Sequence, residues 1–312
     1  MRNPLQKLIQ PRFPTCAAGI ETGEASVVQL DRSRGGFVVT RAASVALPPD
    51  VVQASFDEPN LKSPDGLQRA LTDLITSAGM LRQRKWSVAL PEAATRSAII
   101  TIEGASASRR EIEDVFEWKI ERTFGATPEE LQLSREELSR DAQRQTRFLV
   151  NAVRVSVLAE YEAVLASLGW HAGLILPRHV GEEQWLRNGH QGNGLLLTSH
   201  GEGFTAVLMH GNRPLSLRSV FCDAAECDDE LHRILLFYGD RANAGAAADM
   251  PAFDRLLVLG DFLDKKRVED IAADALGVRL KPLNAEDVGL MIPGDLEFDT
   301  IAAPAGLARL AW

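Results

Sequence analysis

A pattern of three short strands, a helix and a further strand occurs twice along this chain of 312 residues. In its first copy, apolar residues separated by turn residues predict strands over 17–21, 26–30 and 36–46. Residues 64–80 carry leucines at helical spacing, and residues 86–90 form an apolar strand that Pro91 ends. Such a repeated unit predicts two α/β lobes, each with its own core, and a cleft between them.

The second half of the chain repeats this order. Strands are predicted over 194–198, 203–209 and 214–220, with the turns Gly201-Glu202-Gly203 and Gly211-Asn212 between them. A helix over 229–238, a strand over 255–259 and a helix over 265–276 complete the copy. The Ala- and Gly-rich residues 242–252 are predicted to form a flexible loop.

A smaller unit lies between the two copies. It opens with a strand over 97–102, and Ser108 and Glu111 have the spacing of a capping box at the start of a helix that runs to Phe124. A strand over 147–155 and a helix over 158–168 follow, while the pattern over 130–138 does not distinguish helix from strand. We therefore predict three units. The first lobe covers residues 1–90 and is completed by 156–188, an inserted small α+β subdomain covers 91–155, and the second lobe covers 189–312.

Charge and cysteine content narrow the classes of partner. The chain has 34 Lys and Arg against 43 Asp and Glu, a formal net charge of −9, and no basic run, so nucleic acid is not expected to bind. Cys16, Cys222 and Cys227 are an odd number in a chain that has its own cores, so a disulfide framework is not needed and a reducing cytosol is expected. Cys222, Cys227 and His232 lack the spacing of a common closed zinc site, and we interpret the cysteines as thiols.

The chain ends give a prediction of location. Residues 1–14 lack the apolar core of a signal peptide and are predicted to be mobile, and no stretch reaches the ~20 apolar residues of a membrane span. We expect a cytoplasmic protein that meets the inner membrane only through a partner. Residues 298–310 are predicted to form a buried closing helix, and for Trp118 an exposed anchor and a core position both remain open.

One segment connects the pattern to a known family. The run Gly19-Ile20-Glu21-Thr22-Gly23-Glu24-Ala25-Ser26-Val27 resembles the first phosphate turn of the PilM family, the cytoplasmic actin-like proteins of type IV pilus assembly, which usually have Gly-Ile-Asp-Ile-Gly-Ser-Ser-Ser-Val there. Val88-Ala89-Leu90-Pro91, the helix over 111–124 and residues 148–169 are similar to the family in order and spacing. The resemblance implies the two-lobed actin-like ATPase (ribonuclease H-like) fold, which FtsA and the cytoplasmic domain of GspL share. In that fold one turn of each lobe faces the phosphates of a nucleotide.

The chain departs from the family at the nucleotide site. Glu21 stands where ATP-using members have a shorter carboxylate for hydrated Mg²⁺, an ion that tolerates little deviation from octahedral geometry. The family's second Asp-x-Gly falls on Thr198-Ser199-His200, which has no acidic group, and its Gly-Gly adenosine turn on Leu259-Gly260-Asp261-Phe262. ATP with magnesium is the candidate cofactor, and the resemblance implies these residues as its ligands: Glu21, Thr22, Gly23, Ser26, Gly201, Gly203, Thr205, Gly260 and Asp261.

Without a base or a second metal ligand, hydrolysis is not expected. The resemblance then implies a pseudo-ATPase scaffold of a type IV pilus or related secretion platform, which binds the cytoplasmic tail of a PilN-like inner-membrane protein. That family's docking groove lies between the first lobe and the insert, so residues 97–102 and the helix over 111–124 are expected as its walls. The alternatives are an ATP-binding switch or weak ATPase that uses Glu21 and Asp261, and a GspL-like platform protein of type II secretion. A homo-oligomer is left open.

Overall fold

The computed structural model describes residues 13–103, 109–140, 145–187, 192–201, 203–243 and 253–312. The strands are β1 (Cys16–Ile20), β2 (Glu24–Ser33), β3 (Gly36–Ala46), β4 (Lys85–Leu90), β5 (Arg96–Glu103), β6 (Leu131–Arg140), β7 (Gln145–Arg154), β8 (His171–Pro177), β9 (Asn193–His200), β10 (Gly203–His210), β11 (Arg213–Phe221), β12 (Phe253–Leu259) and β13 (Leu290–Met291). The helices are α1 (Pro64–Ser77), α2 (Arg109–Phe124), α3 (Val155–Ser167), α4 (Arg178–Glu182), α5 (Cys227–Asn243), α6 (Lys265–Leu276) and α7 (Phe298–Arg309).

The first sheet has six strands in the order β13-β3-β2-β1-β4-β8. Strands β1, β2 and β3 form the predicted antiparallel meander, and β4 and β8 continue the sheet in parallel. Helices α1 and α3 cover one face, where Leu71 and Tyr161 are buried and Trp86 stacks on Trp170 with ring centroids 4.1 Å apart. The apolar residues of α1 recur at helical spacing, and the Ser63 hydroxyl caps its first turn by accepting the N–H of Gly66.

The second sheet repeats the meander in the order β11-β10-β9-β12. Strands β9, β10 and β11 are antiparallel neighbours, and β12 pairs with β9 in parallel, as β4 does with β1. Helices α5 and α6 pack together on this sheet around Leu231, Leu235 and Val268. Two copies of one unit, each with its own core, are therefore present.

The insert is a three-stranded antiparallel sheet, β5-β7-β6, with α2 packed on it. Its core includes Phe56, which comes from the loop before α1. The carboxylate of the next residue, Asp57, pairs with Arg96 at 3.1 Å and with Arg154 at 2.8 Å. Because Arg96 begins β5 and Arg154 ends β7, this loop contacts the insert at the points where the chain enters and leaves it.

The end of the chain returns to the first sheet. Strand β13 pairs with β3, and α7 packs against β1, β2 and β4. The helix shares an apolar cluster with both larger sheets, to which Ala17, Leu196 and Ile301 contribute. It crosses α4 so closely that a Cβ at Gly306 would overlap the carbonyl oxygen of Gly181. Strand β13 and helix α7, which belong to the predicted range 189–312, therefore pack with the first lobe. The bounds of the three predicted units stay a prediction.

Most predicted elements are confirmed within a few residues. Residues 130–138, ambiguous in sequence, belong mainly to strand β6, and the helix predicted from residue 158 begins at Val155. The sequence did not predict β8, α4 or β13. The predicted loop over 242–252 overlaps the last residues of α5 and otherwise falls outside the described residues, as do Ser108 of the capping box and most of the terminus over 1–14.

The structure also bears on Trp118, on the cysteines and on the predicted lack of a membrane span. Trp118 is 54% exposed, so it is not a core residue. Cys222 and Cys227 form a disulfide, because the turn between β11 and α5 brings them together. The interpretation of both as thiols is therefore wrong, and the cysteines do not support the expected reducing cytosol. None of the helices in the described part of the chain combines the length and the apolar character of a membrane span.

Candidate functional site

The first turn, between β1 and β2, is closed by its own backbone. The N–H of Glu21 donates to the carbonyl oxygen of Glu24 at 2.8 Å, and the carbonyl oxygen of Gly23 accepts the N–H of Leu47 at 2.8 Å. Thr22 and Gly23 are exposed at the tip, and a Cβ at Gly23 would meet nothing within 4 Å. The turn is therefore a hairpin connection that does not need glycine at its tip for space.

Glu21 lies beside an arginine that the sequence analysis did not predict. Nη1 of Arg178 is 3.6 Å from Oε1 of Glu21, and Nε of Arg178 donates to Glu182 at 2.5 Å. Burial raises the pKa of Glu21 to about 7, although the charge of Arg178 opposes this change. The carboxyl group that the resemblance assigns to a metal is thus mostly enclosed by protein and already has a cation next to it.

The second turn, between β9 and β10, carries no carboxylate among its described residues Ser199, His200 and Gly201. The Ser199 hydroxyl donates to the carbonyl oxygen of Leu259 at 3.1 Å and accepts the N–H of Phe262 at 3.2 Å, so it ties this turn to the end of β12. Gly203 has φ of +141° and lies so close to β11 that a Cβ would overlap the carbonyl oxygen of Val220. Gly203 is therefore needed for the close packing of β10 against β11.

The third turn, after β12, is closed by an acidic residue from the chain end. Gly260 has φ of +82°, and a Cβ there would overlap the Ser199 hydroxyl, so this position requires glycine. Its N–H donates to Oδ2 of Asp299 at 3.2 Å, and Nζ of Lys265 pairs with the same carboxylate at 2.9 Å. Asp261 is exposed beside it. The glycine N–H that could contact a ligand already has a partner within the protein.

The three turns converge on one cavity of about 530 Å³. Six of the nine residues named from the sequence line it: Glu21, Thr22, Gly23, Gly201, Gly260 and Asp261. Ser26 lines a separate hollow of about 30 Å³ and donates to the carbonyl oxygen of Thr300 at 3.0 Å. Gly203 and Thr205 do not line the cavity, and the Thr205 hydroxyl is buried against Ser219 at 2.9 Å.

Most of the charged side chains in this cavity belong to residues that the sequence analysis did not predict as ligands. Its lining includes Glu24, Arg178, Glu297 and Asp299, which makes five carboxylates and one arginine together with Glu21 and Asp261. No sequence signal marked Arg178 or Asp299, because each reaches the cavity through the packing of its helix and not through a turn motif.

A magnesium nucleotide does not fit this set of residues. A metal ion at Glu21 would be repelled by Arg178, and the surplus of carboxylates repels a phosphate chain that arrives without metal. The N–H of Gly260 would have to leave Asp299 before it could meet a ligand. We therefore derive no chemical step through a nucleotide.

A second buried charge pair lies next to Arg178. Nδ1 of His179 is 2.8 Å from the carboxylate of Glu92, whose Oε2 also accepts the N–H of His179 at 3.2 Å. Burial alone would raise the pKa of Glu92, but the charge and hydrogen bonds of His179 lower it to about 2. Burial disfavours the charged form of His179 and so lowers its pKa, but the charge of Glu92 outweighs burial and raises the pKa of His179 above its ordinary value. The pair therefore contributes to the structure at the start of α4.

A groove of about 390 Å³ separates the first sheet from the insert. Its walls are β6, β7, α3 and β8, with residues 132–134 on one side and 172–177 on the other. The prediction that residues 97–102 and the helix over 111–124 form these walls is wrong, because β5 is the far edge of the insert and faces β11. Ser97, Ala98, Thr123 and Phe124 instead line a hollow of about 220 Å³ with His200 and Phe221.

The structure also shows the contacts of Cys222, Cys227 and His232. Cys222 and Cys227 are bonded to each other, and Nε2 of His232 lies 2.9 Å from Asp274, so the three residues do not form a ligand set. Over the described ranges, no three His, Cys, Asp or Glu side chains come together as ligands for a metal ion.

No protein-family model matches this sequence, and no curated protein matches it. The structure is similar to a chain of the solved PilM-PilN type IV pilus biogenesis complex, with a TM-score of 0.71 and 19% sequence identity over 96% of this chain and 99% of that chain. At this identity the likeness shows the fold, and it confirms the predicted two-lobed actin-like architecture and the resemblance to PilM at that level.

Two further solved structures are less similar. The cytoplasmic domain of EpsL, an inner membrane component of the type II secretion system of Vibrio cholerae, has a TM-score of 0.48 and 11% identity over 95% of this chain and 93% of that chain. A Bacteroides thetaiotaomicron protein with an actin-like ATPase fold and unknown function has a TM-score of 0.49 and 10% identity over 98% and 99%. These two likenesses carry no argument at such TM-scores.

Proposed function

We propose that this protein is a non-catalytic cytoplasmic adaptor of a type IV pilus or related secretion platform, and that it binds the cytoplasmic tail of a PilN-like inner-membrane protein. The observation that carries the proposal is the likeness over nearly the whole chain to a chain of the PilM-PilN complex. The cavity supports the non-catalytic part of this proposal. The described residues of its second turn include no carboxylate, and the Gly260 N–H of its third turn is hydrogen-bonded to Asp299.

The groove between the first sheet and the insert is the docking site in this proposal. Strands β8 and β6 are each the last strand of a sheet, so each has one edge with no neighbouring strand among the described residues. Consecutive residues of both strands line the groove, which suits an extended peptide that adds to a sheet edge. Leu133, Leu158 and Leu176 supply apolar contacts, and the exposed Glu162 favours a tail with a basic residue.

Binding of a peptide tests the docking site. The probe is a fluorescent synthetic peptide with the sequence of the cytoplasmic tail of the PilN-like protein encoded in the same genome, titrated against the full chain. Val155 is 47% exposed in the groove, and Val155→Lys places a positive charge there, which repels a basic tail, without disturbing a core. We expect binding to weaken by at least about tenfold, as for a central apolar contact of an interface.

Val115→Lys is the matched control, since Val115 is 40% exposed on α2 and does not line the groove. It should leave the affinity unchanged. The docking proposal is overturned if the unmodified protein does not bind the peptide, or if both variants weaken binding equally.

Thermal unfolding with and without millimolar Mg-ATP tests the cavity. A ligand that binds only the native state adds RT ln(1 + [L]/Kd) to stability, and we expect no change in melting temperature. The alternative of an ATP-binding switch is favoured by the cavity volume of about 530 Å³, which lies in the usual range for small-molecule sites. A rise of several degrees that Glu21→Ala abolishes would establish this alternative.

A further inference from the structure

A continuous series of polar contacts runs along the cavity, from the first turn to the third. It runs from Glu21 to Arg178, from Arg178 to Asp299, and from Asp299 to Gly260 and Lys265. Two side chains, Arg178 and Asp299, carry every step. We refer to these five residues as the strap.

Arg178 connects three elements with one guanidinium group. Its Nη1 faces Glu21 in the first turn, its Nε donates to Glu182 at the end of α4, and its Nη2 donates to the carbonyl oxygen of Asp299 at 3.3 Å. The side chain is only 14% exposed. Burial disfavours its charge, but the carboxylates of Glu182 and Glu21 raise the pKa of Arg178 further, so the guanidinium stays charged.

Asp299 continues the series from the first turn of α7. Its carboxylate accepts the N–H of Gly260 at 3.2 Å and pairs with Nζ of Lys265, the first residue of α6. The Asp299 side chain is 18% exposed, so water screens these contacts less than it screens a surface pair.

The two ends of the strap belong to different sheets. Glu21 follows β1, and Asp299 lies in the first turn of α7, the helix that packs on β1, β2 and β4. Gly260 follows β12, and Lys265 begins a helix of the second sheet's core. The strap therefore joins elements of the first sheet to elements of the second beside the cavity.

We propose that the strap holds the mouth of the cleft at one width without any bound ligand. The lobes then need no nucleotide to bridge them, because the carboxylate of Asp299, a residue whose backbone Arg178 contacts in the first lobe, already reaches Gly260 and Lys265. Breaking the Asp299 contacts frees the third turn, and the cleft opens. This inference goes beyond the adaptor function and does not rest on it, since the strap involves neither the groove nor a partner.

The test measures the distance between the lobes in the full chain, with no ligand or partner added. Spin labels are placed at Asp73→Cys on α1 and Asp229→Cys on α5, both exposed positions, in a background with Cys222→Ser and Cys227→Ser. Cys16 is buried and is kept. We expect Asp299→Ala to lengthen and broaden the distance distribution by several ångströms relative to this background. Lys265→Met should have a smaller effect in the same direction, since it keeps the Gly260 contact.

The control variant is Arg279→Met. It removes ion pairs with Glu269 and Asp270, which lie on α6 within the second lobe and do not cross the cleft. Its distance distribution should match that of the background. Each variant is first shown to be folded by circular dichroism. If folded Asp299→Ala and Lys265→Met both keep the background distribution, or if Arg279→Met changes it as much as they do, the strap does not hold the cleft.

Discussion

Nη1 of Arg178 lies 3.6 Å from Oε1 of Glu21, inside the cavity that three turns of the two lobes form. The carboxyl group at the position of a metal ligand thus has a built-in cation as its neighbour. Glu21 Oε1 is buried and accepts no hydrogen bond from the described residues. A carboxyl group in such surroundings holds its proton more tightly than one in water.

Stability should therefore decrease with pH because of Glu21. Its pKa is about 7 in the folded protein against an ordinary value of 4.5, so the native state binds the extra proton between these values and loses stability as pH rises through them. The full difference is about 3 kcal/mol at about 1.36 kcal/mol per pH unit. Glu21→Gln should remove this decline and be more stable than the unmodified protein at pH 7.5 but not at pH 4.5, as urea unfolding would measure.

Glu117→Gln, at an exposed position of α2, is the control and should run parallel to the unmodified protein across this pH range. An identical pH dependence in Glu21→Gln and the unmodified protein would contradict the assignment of the decline to Glu21.

Glu92, which pairs with the buried His179, should act in the opposite direction. The pKa of Glu92 is about 2 against 4.5, so its contribution is present above pH 4.5 and is lost as pH falls toward 2. Glu92→Gln should cost about 3 kcal/mol at pH 7, because it leaves His179 buried without its counter-charge. Urea denaturation at pH 7 and pH 3 measures both effects.

An exposed pair of the same chemistry provides the comparison. His232 and Asp274 lie 2.9 Å apart with side chains 38% and 79% exposed, and Asp274→Asn should cost less than about 1 kcal/mol. Equal losses for the two variants would show that burial does not strengthen the Glu92 pair.

The crossing of α4 and α7 should not accept a methyl group. A Cβ at Gly306 would overlap the backbone carbonyl of Gly181, which cannot move without separating the helices. Gly306→Ala should lose about 3 kcal/mol or more of unfolding free energy. Gly239→Ala on α5, where the nearest atom is 3.4 Å from the added Cβ, should be neutral or stabilising because alanine favours helix. Chemical denaturation of both variants would decide, and a neutral Gly306→Ala would contradict the close crossing.

The Cys222–Cys227 disulfide should contribute measurably to stability. It closes a short loop between β11 and α5, and by the chain-entropy relation a loop of this size adds about 2 kcal/mol. Reduction with dithiothreitol should lower the free energy of unfolding by that amount in the unmodified protein and should leave Cys222→Ser unaffected. A first check is intact mass after alkylation without reductant, since two accessible thiols at these positions would show that the bond does not form.

Local patterns in the sequence predicted much of the fold. The alternation of apolar residues and the turns after residues 21 and 210 predicted both meanders, and the leucine spacing predicted α1. The same patterns located the three turns, and the residue types in Thr198-Ser199-His200 already showed that an acidic group is missing there. Each of these features depends on residues close together in the chain, so a linear sequence can show them.

Contacts between distant parts of the chain had to come from the tertiary structure. Arg178 and Asp299 reach the cavity because α4 and α7 pack where the two sheets meet, and Thr205 turns away because its strand buries that face. The edge on which β5 lies decided which residues line the groove. The sequence by itself determined most of the elements, their duplication and the lack of an acidic group at Thr198-Ser199-His200. Only the packing of the two lobes and the insert decided which side chains pair across the cleft, because such pairs depend on the relative placement of segments with no local pattern in common.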